Sequence, residues 1–476
     1  MKNISNEIMK ESQTFVRNNK NLIIDKNEKG AFSYISPRIS SEFMDCSLPM
    51  TFDNYSHCSL GCCYCFAYMQ KTNNPSFSGK LHAVNSEKLL NAIHGKPNDP
   101  RGKSFYKHFY KKRFVLHWGG LADAFCNFEK ANHNSYEIIK GLAKESYPTL
   151  FSFKGNSIFT KRFRRLFGKY AHQKNFAFQV SIIAPNDEMS KKIEIGVPVT
   201  SIRIKALKML SEMGYYTILR LRPFIIGVTD DGLDELLHKC KDAGINAIST
   251  EFLALDARSN ASLMKRYKWI GELIGIGPDK VMEYFKKLSP SERGGYMRLN
   301  RLVKEKYVKQ MYKFCTENNI LFACSDPDYK ELNMTGSCCG LPFKYKQNKE
   351  MQNWTTNQLT FHLKEARKLY HTEGKIQVFR FDNVYRPNKD TYLQSLRFGQ
   401  DHITVVGKTA SERQNVTYFN IARQVWNNLR SPANPRNYFH GKIMPTRVDE
   451  SGNFVYAYNP SDYEDRWKKE GIDLTK

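Results

Sequence analysis

Short runs of apolar, β-branched and aromatic residues recur along the chain: LPMTF (48–52), RFVLHW (113–118), TLFSF (149–153), FAFQVSII (176–183), YYTILRLR (215–222), NAISTEFLAL (246–255) and ILFACS (320–325). Near-continuous hydrophobicity over so few residues is the pattern of parallel strands buried on both faces. Between them, SYEIIKGLAKES, TSIRIKALKMLSEMG and DDGLDELLHKCKDAG carry apolar positions at helical spacing, the last two stopping at Gly214 and Gly244. Repeated βα units predict an α/β fold, with a parallel sheet curled into a partial or full (β/α) TIM-like barrel. Function then belongs at the C-terminal ends of the strands.

The alternation sets the expected domains. Residues 1–45 are polar and show no sustained period, so they read as a loose N-terminal arm. Residues 46–340 form the barrel, interrupted at about 256–300 by an insertion whose loops are marked by GIGPDK and SPSERGG. After residue 341 the alternation fades into a separate C-terminal region running to 476 and suited to nucleic-acid or substrate binding.

Composition narrows the class of partner. The 476 residues carry 73 Lys and Arg against 47 Asp and Glu, a formal charge of +26. A surplus of that size builds a positive field that draws in polyanions, and nucleic acid leads among them. Eleven cysteines are too few for a secreted disulfide scaffold, and four of them fall between Cys58 and Cys65, which suggests a metal in a reducing cytosol. The N-terminus lacks the apolar core of a signal peptide, and no apolar run approaches the roughly 20 residues of a membrane span, so the expected location is cytoplasmic.

The sharpest chemical signal is HCSLGCCYCFAY (57–68), which places Cys58, Cys62 and Cys65 in a C-x-x-x-C-x-x-C pattern just after the first expected strand. Three thiolates on one short loop can hold three irons of a 4Fe-4S cubane and leave the fourth open to an outside ligand. A structural zinc site would call for four closed ligands, and no paired CxxC follows.

This motif, with the aromatic Tyr64 just before its last cysteine, resembles that of the radical SAM superfamily. The resemblance implies S-adenosyl-L-methionine as second cofactor, reductive cleavage to a 5'-deoxyadenosyl radical, and an electron donor such as a flavodoxin or ferredoxin. It also implies cofactor contacts at Gly119 and Gly120, with Asp123, in HWGGLADAF after the second strand, at Ser181 ending the fourth, at Arg203 in the helix SIRIKALKML, and at Ile226 and Gly227 in PFIIGVTD. Within the superfamily the runs CCYCFAYMQKT, VSIIAPNDEMSKKIEIGVP and RLRPFIIGVTD are similar to the spore photoproduct lyase-like group over about residues 45–255. In those lyases a hydrogen-donating Cys sits just before the Asp of the second-strand loop. Here glycines precede Asp123, and the nearest thiol, Cys126, is a speculative donor whose bland alternative is a small packing residue.

A second set, Cys315, Cys324, Cys338 and Cys339, lies near the last strand and suits an auxiliary iron-sulfur cluster or zinc, or else ordinary buried thiols. Two stretches are basic without any acid: residues 101–113 with six Lys or Arg and residues 154–174 with seven. They make Lys111, Lys112, Arg113, Arg162 and Arg165 candidate nucleic-acid contacts. The aromatic stripe Phe159, Phe163, Phe167 and Tyr170 in the second reads as the buried face of one helix. Together these features point to a radical SAM enzyme that repairs or modifies a nucleic-acid base, DNA before RNA. Two alternatives stand beside it: a radical SAM enzyme acting on a peptide or small metabolite, and a non-enzymatic protein binding zinc and nucleic acid.

Overall fold

The computed structural model describes residues 2–24, 38–39, 45–48, 50–67, 81–95, 107–258, 261–289, 292–293, 296–352, 359–385 and 418–476. The chain divides into two compact units, one of residues 1–37, 51–91 and 116–308, the other of residues 38–50, 92–115 and 309–476. The strand Leu321–Cys324 and Cys315, Cys324, Cys338 and Cys339 are counted with the second unit.

The first unit is built on strands β1 (Met50–Phe52), β2 (Leu116–Trp118), β3 (Thr149–Phe153), β4 (Phe176–Ser181), β5 (Tyr216–Phe224) and β6 (Ala247–Phe252). They lie side by side in chain order, every neighbouring pair parallel. No described pairing joins β6 back to β1, so the sheet is a partial barrel rather than a closed one. Helices α2 (Asn134–Lys144), α3 (Lys161–Tyr170), α5 (Thr200–Glu212) and α6 (Leu233–Asp242) make the crossovers, with the short α4 (Asp187–Ile193) ahead of α5. The crossovers keep the strands parallel.

The outer face is sealed by aromatics. Phe163 and Phe167 of α3 are fully buried, and Phe167 meets Phe176 and Phe178 of β4 edge-on at centroid distances of 6.1 and 5.2 Å. Phe125 joins the same cluster against Phe153 and Phe163. Of the aromatic stripe, Phe163 and Phe167 are therefore core, while Phe159, in the turn before α3, and Tyr170 are half-buried; burial of each core ring stabilises the fold by roughly 1.5–3 kcal/mol.

Two expectations change. Residues 1–45 are not simply a loose arm: α1 spans Lys2–Asn19. It is polar on average, but Val16 seats against glycines, since a Cβ on Gly61 would stand 3.0 Å and one on Gly196 2.6 Å from its methyls. Tertiary packing supplies what local propensity does not. The insertion is also structured, with helices α7 (Ala261–Leu273) and α8 (Val281–Leu288) and an antiparallel three-stranded sheet of Ala254–Asp256, Tyr296–Arg298 and Glu292–Arg293. It encloses a core with Cys62, Cys63 and Tyr64.

The second unit buries the segment Asp328–Leu332 in its interior. Its charges are matched: Lys330 donates to Asp45 at 2.5 Å, Lys442 to Glu331, and His440 pairs with Asp328. Antiparallel strands Val378–Phe379, Phe454–Tyr458 and Ile443–Val448 complete it. No described helix is long and apolar enough to cross a membrane.

Candidate active site

The residues just ahead of the cysteine loop anchor it. Asp53 follows β1 and accepts from the backbone N–H groups of Leu121 and Ala122 at 2.9 and 2.7 Å, tying the start of the loop to the loop after β2. Asn54 accepts from Trp118 Nε1 and donates to Asn134 and Ser135. Tyr55 donates to the fully buried Glu129 at 2.7 Å, which also accepts from the backbone of Ser135 and Tyr136. The sequence reading missed this DNY triplet. Its signal was three hydrogen-bonding side chains where a buried strand ends.

The loop then runs across the C-terminal ends of the strands. Gly61 and Cys62 form a two-residue strand paired antiparallel with Glu194 and Ile195, and Cys65 N–H closes a turn onto the Cys62 carbonyl at 3.2 Å. Cys58 and Cys65 are half-buried, Cys62 and Cys63 buried. The three motif thiols lie within electrostatic reach of one another: Cys62 is pushed up to about 12, by burial first, with Glu194, Cys65 and Cys58 adding and Lys154 opposing. Burial holds this thiol in its protonated form. All eleven cysteines are free, and among the described residues no three Cys, His, Asp or Glu side chains form a ready metal cage.

Tyr64 and Arg203 meet at a residue outside the expected set. Glu194 is buried and accepts from both the Tyr64 hydroxyl and the Arg203 guanidinium. Arg203 also donates to the Ser181 carbonyl at 2.6 Å and Ser190 Oγ at 2.9 Å. Arg203 is thus 1% exposed, neither a surface arginine nor an open ligand group, and it links α5, the end of β4 and the cysteine loop. Burial pushes the Tyr64 hydroxyl far up, and the Glu194 charge adds to it.

The loop after β2 follows the same logic. Gly119 has φ of +108°, and a Cβ there would stand 2.0 Å from the Ser152 carbonyl oxygen, so only glycine fits. Gly120 beside it is half-buried. Asp123 is buried; burial raises its carboxyl, which accepts from the backbone of Phe125, Lys154 and Gly155 and pins this loop to the one after β3. Cys126 is 1% exposed, within an apolar cluster of Tyr55, Ala122 and Phe128 that Cys58 also touches. Gly227 is exposed and donates to Asp230 at 2.6 Å, while half-buried Ile226 packs on the core shared by the cysteine loop and the insertion.

A cavity of about 340 Å³ opens at this strand end, lined by Leu60 of the cysteine loop, Cys126 and Asn127, Gly155 and Asn156, and Lys20 beyond α1. The candidate basic residues divide. Arg165, Lys111 and Lys112 are exposed, and Arg113 is half-buried with φ of +54°. Arg162 corrects its expectation: it pairs with buried Glu129 at 3.2 Å and stacks 5.2 Å over Tyr136, so it is a structural partner. Cys315, Cys324 and Cys339 are buried and Cys338 half-buried, with burial pushing the Cys315 thiol up; they build no three-donor cage among the described residues.

No family model and no curated protein matches the chain. Among solved structures it is similar to spore photoproduct lyase complexed with dinucleoside spore photoproduct, at 12% identity over 58% of this chain and 76% of that one, with a TM-score of 0.41. A single-residue variant of that lyase gives 13%, 65%, 83% and 0.42. SuiB of Streptococcus suis bound to S-adenosylmethionine gives 12% over 59% of this chain and 51% of that one, at 0.35. The superpositions are loose and assign no chemistry to this chain.

Proposed function

We propose that the chain is a radical SAM enzyme acting on a nucleic-acid base, in DNA before RNA. The observation that carries the reading is the Cys58, Cys62 and Cys65 loop, laid across the C-terminal strand ends and fixed there by Asp53, Asn54, Tyr55 and the Tyr64–Glu194–Arg203 network. Those three cysteines would hold a 4Fe-4S cluster, and Gly119, Gly120, Asp123, Ser181, Ile226 and Gly227 border the space for S-adenosylmethionine. Bound there, the two groups supply reductive carbon-sulfur cleavage and a carbon radical able to take a hydrogen atom from substrate. The chain's own part is to hold the three thiols in register, to exclude water by burying the loop's inner side, and to attract a polyanion with its surplus of charge.

Anaerobic reconstitution tests it. The wild-type protein should become brown, with a broad absorption band near ~400 nm, and cleave S-adenosylmethionine under reduction; the Cys58→Ala, Cys62→Ala, Cys65→Ala triple variant should do neither, while Cys63→Ala does both. Cofactor cleavage by the triple variant would reject the assignment. Mass analysis of nucleosides after incubation with DNA and RNA then separates base chemistry from action on a peptide or metabolite.

A further inference from the structure

The cavity of about 340 Å³ beside the cysteine loop lies apart from the space assigned to S-adenosylmethionine: the described residues that line it include none of Gly119, Gly120, Asp123, Ser181, Ile226 and Gly227. The polar inner face of the sheet, with His117, Ser152, Gln179, Arg220 and Ser249 on five neighbouring strands, contributes no described residue to it either. Its walls come instead from the end of α1, the loops after β2 and β3, and Gly196 and Val197 ahead of α5. Backbone bonds fix those walls. Gly155 N–H donates to Asp123 at 2.9 Å, Asn127 N–H to Ser59 Oγ at 2.9 Å, and Ser157 N–H to the Phe125 carbonyl at 3.2 Å. A Cβ on Gly155 would stand 2.1 Å from that same carbonyl oxygen, so the two loops meet at backbone distance. Small-molecule sites are likewise largely preformed, with volumes of about 300–1,000 Å³.

The polar groups around the cavity are left to an outside ligand. Lys20 and Lys130 are exposed, and among the described residues neither ammonium has a carboxylate partner. They lie far apart in sequence and share one rim through Asn132, at the end of the short helix that carries Lys130. Asn132 accepts from the Ile24 N–H at 2.9 Å and donates to the Leu22 carbonyl at 3.0 Å, which holds the chain just beyond Lys20. Asn127 and Asn156 stand at the starts of short helical turns, yet neither side chain makes a capping hydrogen bond, so both carboxamides stay available. No acid is among the described lining residues, and the two lysines give the lining two positive charges. A phosphate monoester carries about −1.5 to −2 at pH 7, whereas a carboxylate carries a single charge, so the monoester is the better match. Each carboxamide offers a donor and an acceptor, the two functions that nucleobase edges present. Val16, Leu60 and Val197 add apolar wall.

We propose that this cavity is a binding site for a nucleotide phosphate monoester, with Lys20 and Lys130 on the phosphate and Asn127 and Asn156 on the base or sugar. Such a monoester occurs on a free nucleotide and at the phosphorylated end of a strand. Only the second source rests on the functional reading above. The site itself needs neither cluster nor turnover, and its binding is measured without them, so the two fail separately.

The test titrates the full-length protein with thymidine 5'-monophosphate by calorimetry, beside thymidine, inorganic phosphate and acetate, and repeats the titration with saturating S-adenosylmethionine. Thymidine 5'-monophosphate should bind more tightly than the other three, and Lys20→Gln and Lys130→Gln should each weaken it about tenfold. Asn156→Ala should weaken it severalfold and leave inorganic phosphate as it was, a split that misfolding does not produce. Lys205→Gln, an exposed change on α5, should leave both unchanged. Displacement of the nucleotide by a 5'-phosphorylated oligothymidylate, and not by its unphosphorylated form, supports the site with a strand end as the source; failure of both to displace it supports the site with a free nucleotide. Four results overturn the proposal: equal weakening by Lys205→Gln, which means diffuse charge; competition by S-adenosylmethionine, which makes this the cofactor space; inorganic phosphate or acetate binding as tightly as the nucleotide; and no response to either lysine.

Discussion

Asp53 and His117 show how single side chains on this sheet trade exposure for position. Asp53 accepts two backbone N–H bonds from Leu121 and Ala122, and hydrogen bonds to a charged acceptor contribute about 1.5–3 kcal/mol each. Asp53→Ala should therefore lower the unfolding free energy by about 3 kcal/mol in urea titrations and reduce iron uptake, because the start of the cysteine loop loses its anchor. His117 gives a pH dependence with a definite sign. Its folded value of about 3 lies below the ordinary 6.5, so between these two pH values the unfolded chain binds a proton that the folded one does not. Stability is then full above about pH 6.5 and falls with acidity toward pH 3, by up to about 1.4 kcal/mol per pH unit. His117→Gln should flatten the acid limb of stability against pH relative to wild type, and an unchanged limb would deny the imidazole its burial. Gly119→Ala is the steric counterpart: with φ of +108° and the Ser152 carbonyl 2.0 Å from the added carbon, it should cost about 3 kcal/mol or more and shift the urea midpoint accordingly.

At the scale of elements, α1 and the insertion are where the pattern of the chain and the structure diverge. Strands such as TLFSF were legible because all five residues are buried and two-sided burial demands an apolar run. Helices α5 and α6 were legible from their periodicity and glycine stops. By contrast, α1 is held by Val16 against Gly61 and Gly196 and by the Glu11–Lys265 pair at 2.6 Å, contacts between residues far apart in sequence. Val16→Asp should unseat it. The expected result is faster proteolysis within residues 2–19, with the circular dichroism of the remaining helices kept; protection equal to wild type would show that Val16 does not hold the helix. The insertion likewise answers to a distant partner, as Arg266 donates to the Cys62 carbonyl at 2.9 Å and Trp269 to the Lys192 carbonyl at 3.0 Å.

For the whole molecule the +26 charge is the dominant fact, and it belongs to solution behaviour more than to fold. If nucleic acid is the partner, reversing Lys111 and Lys112, or Lys161 and Arg165, should weaken DNA binding and flatten its salt slope by about one unit per lost phosphate contact. Arg162 is left out of that pair because its reversal would strand buried Glu129. Unchanged binding in both variants would mark these faces as merely solvated. The sequence by itself determined the parallel α/β strands and the spacing of the three cysteines, because hydrophobic runs and motif spacing are local properties that survive in one dimension; the order in which the strands pair is a tertiary result. It also marked Tyr64 and Arg203, but not the Glu194 that joins them. Only the tertiary structure decided that Arg203 is buried, that Arg162 is a structural partner, that residues 2–19 form a docked helix, and that polar residues from five strands share one inner face. These depend on which groups meet across long separations, where a charge must find its counter-charge once water is removed, and no local pattern records that pairing.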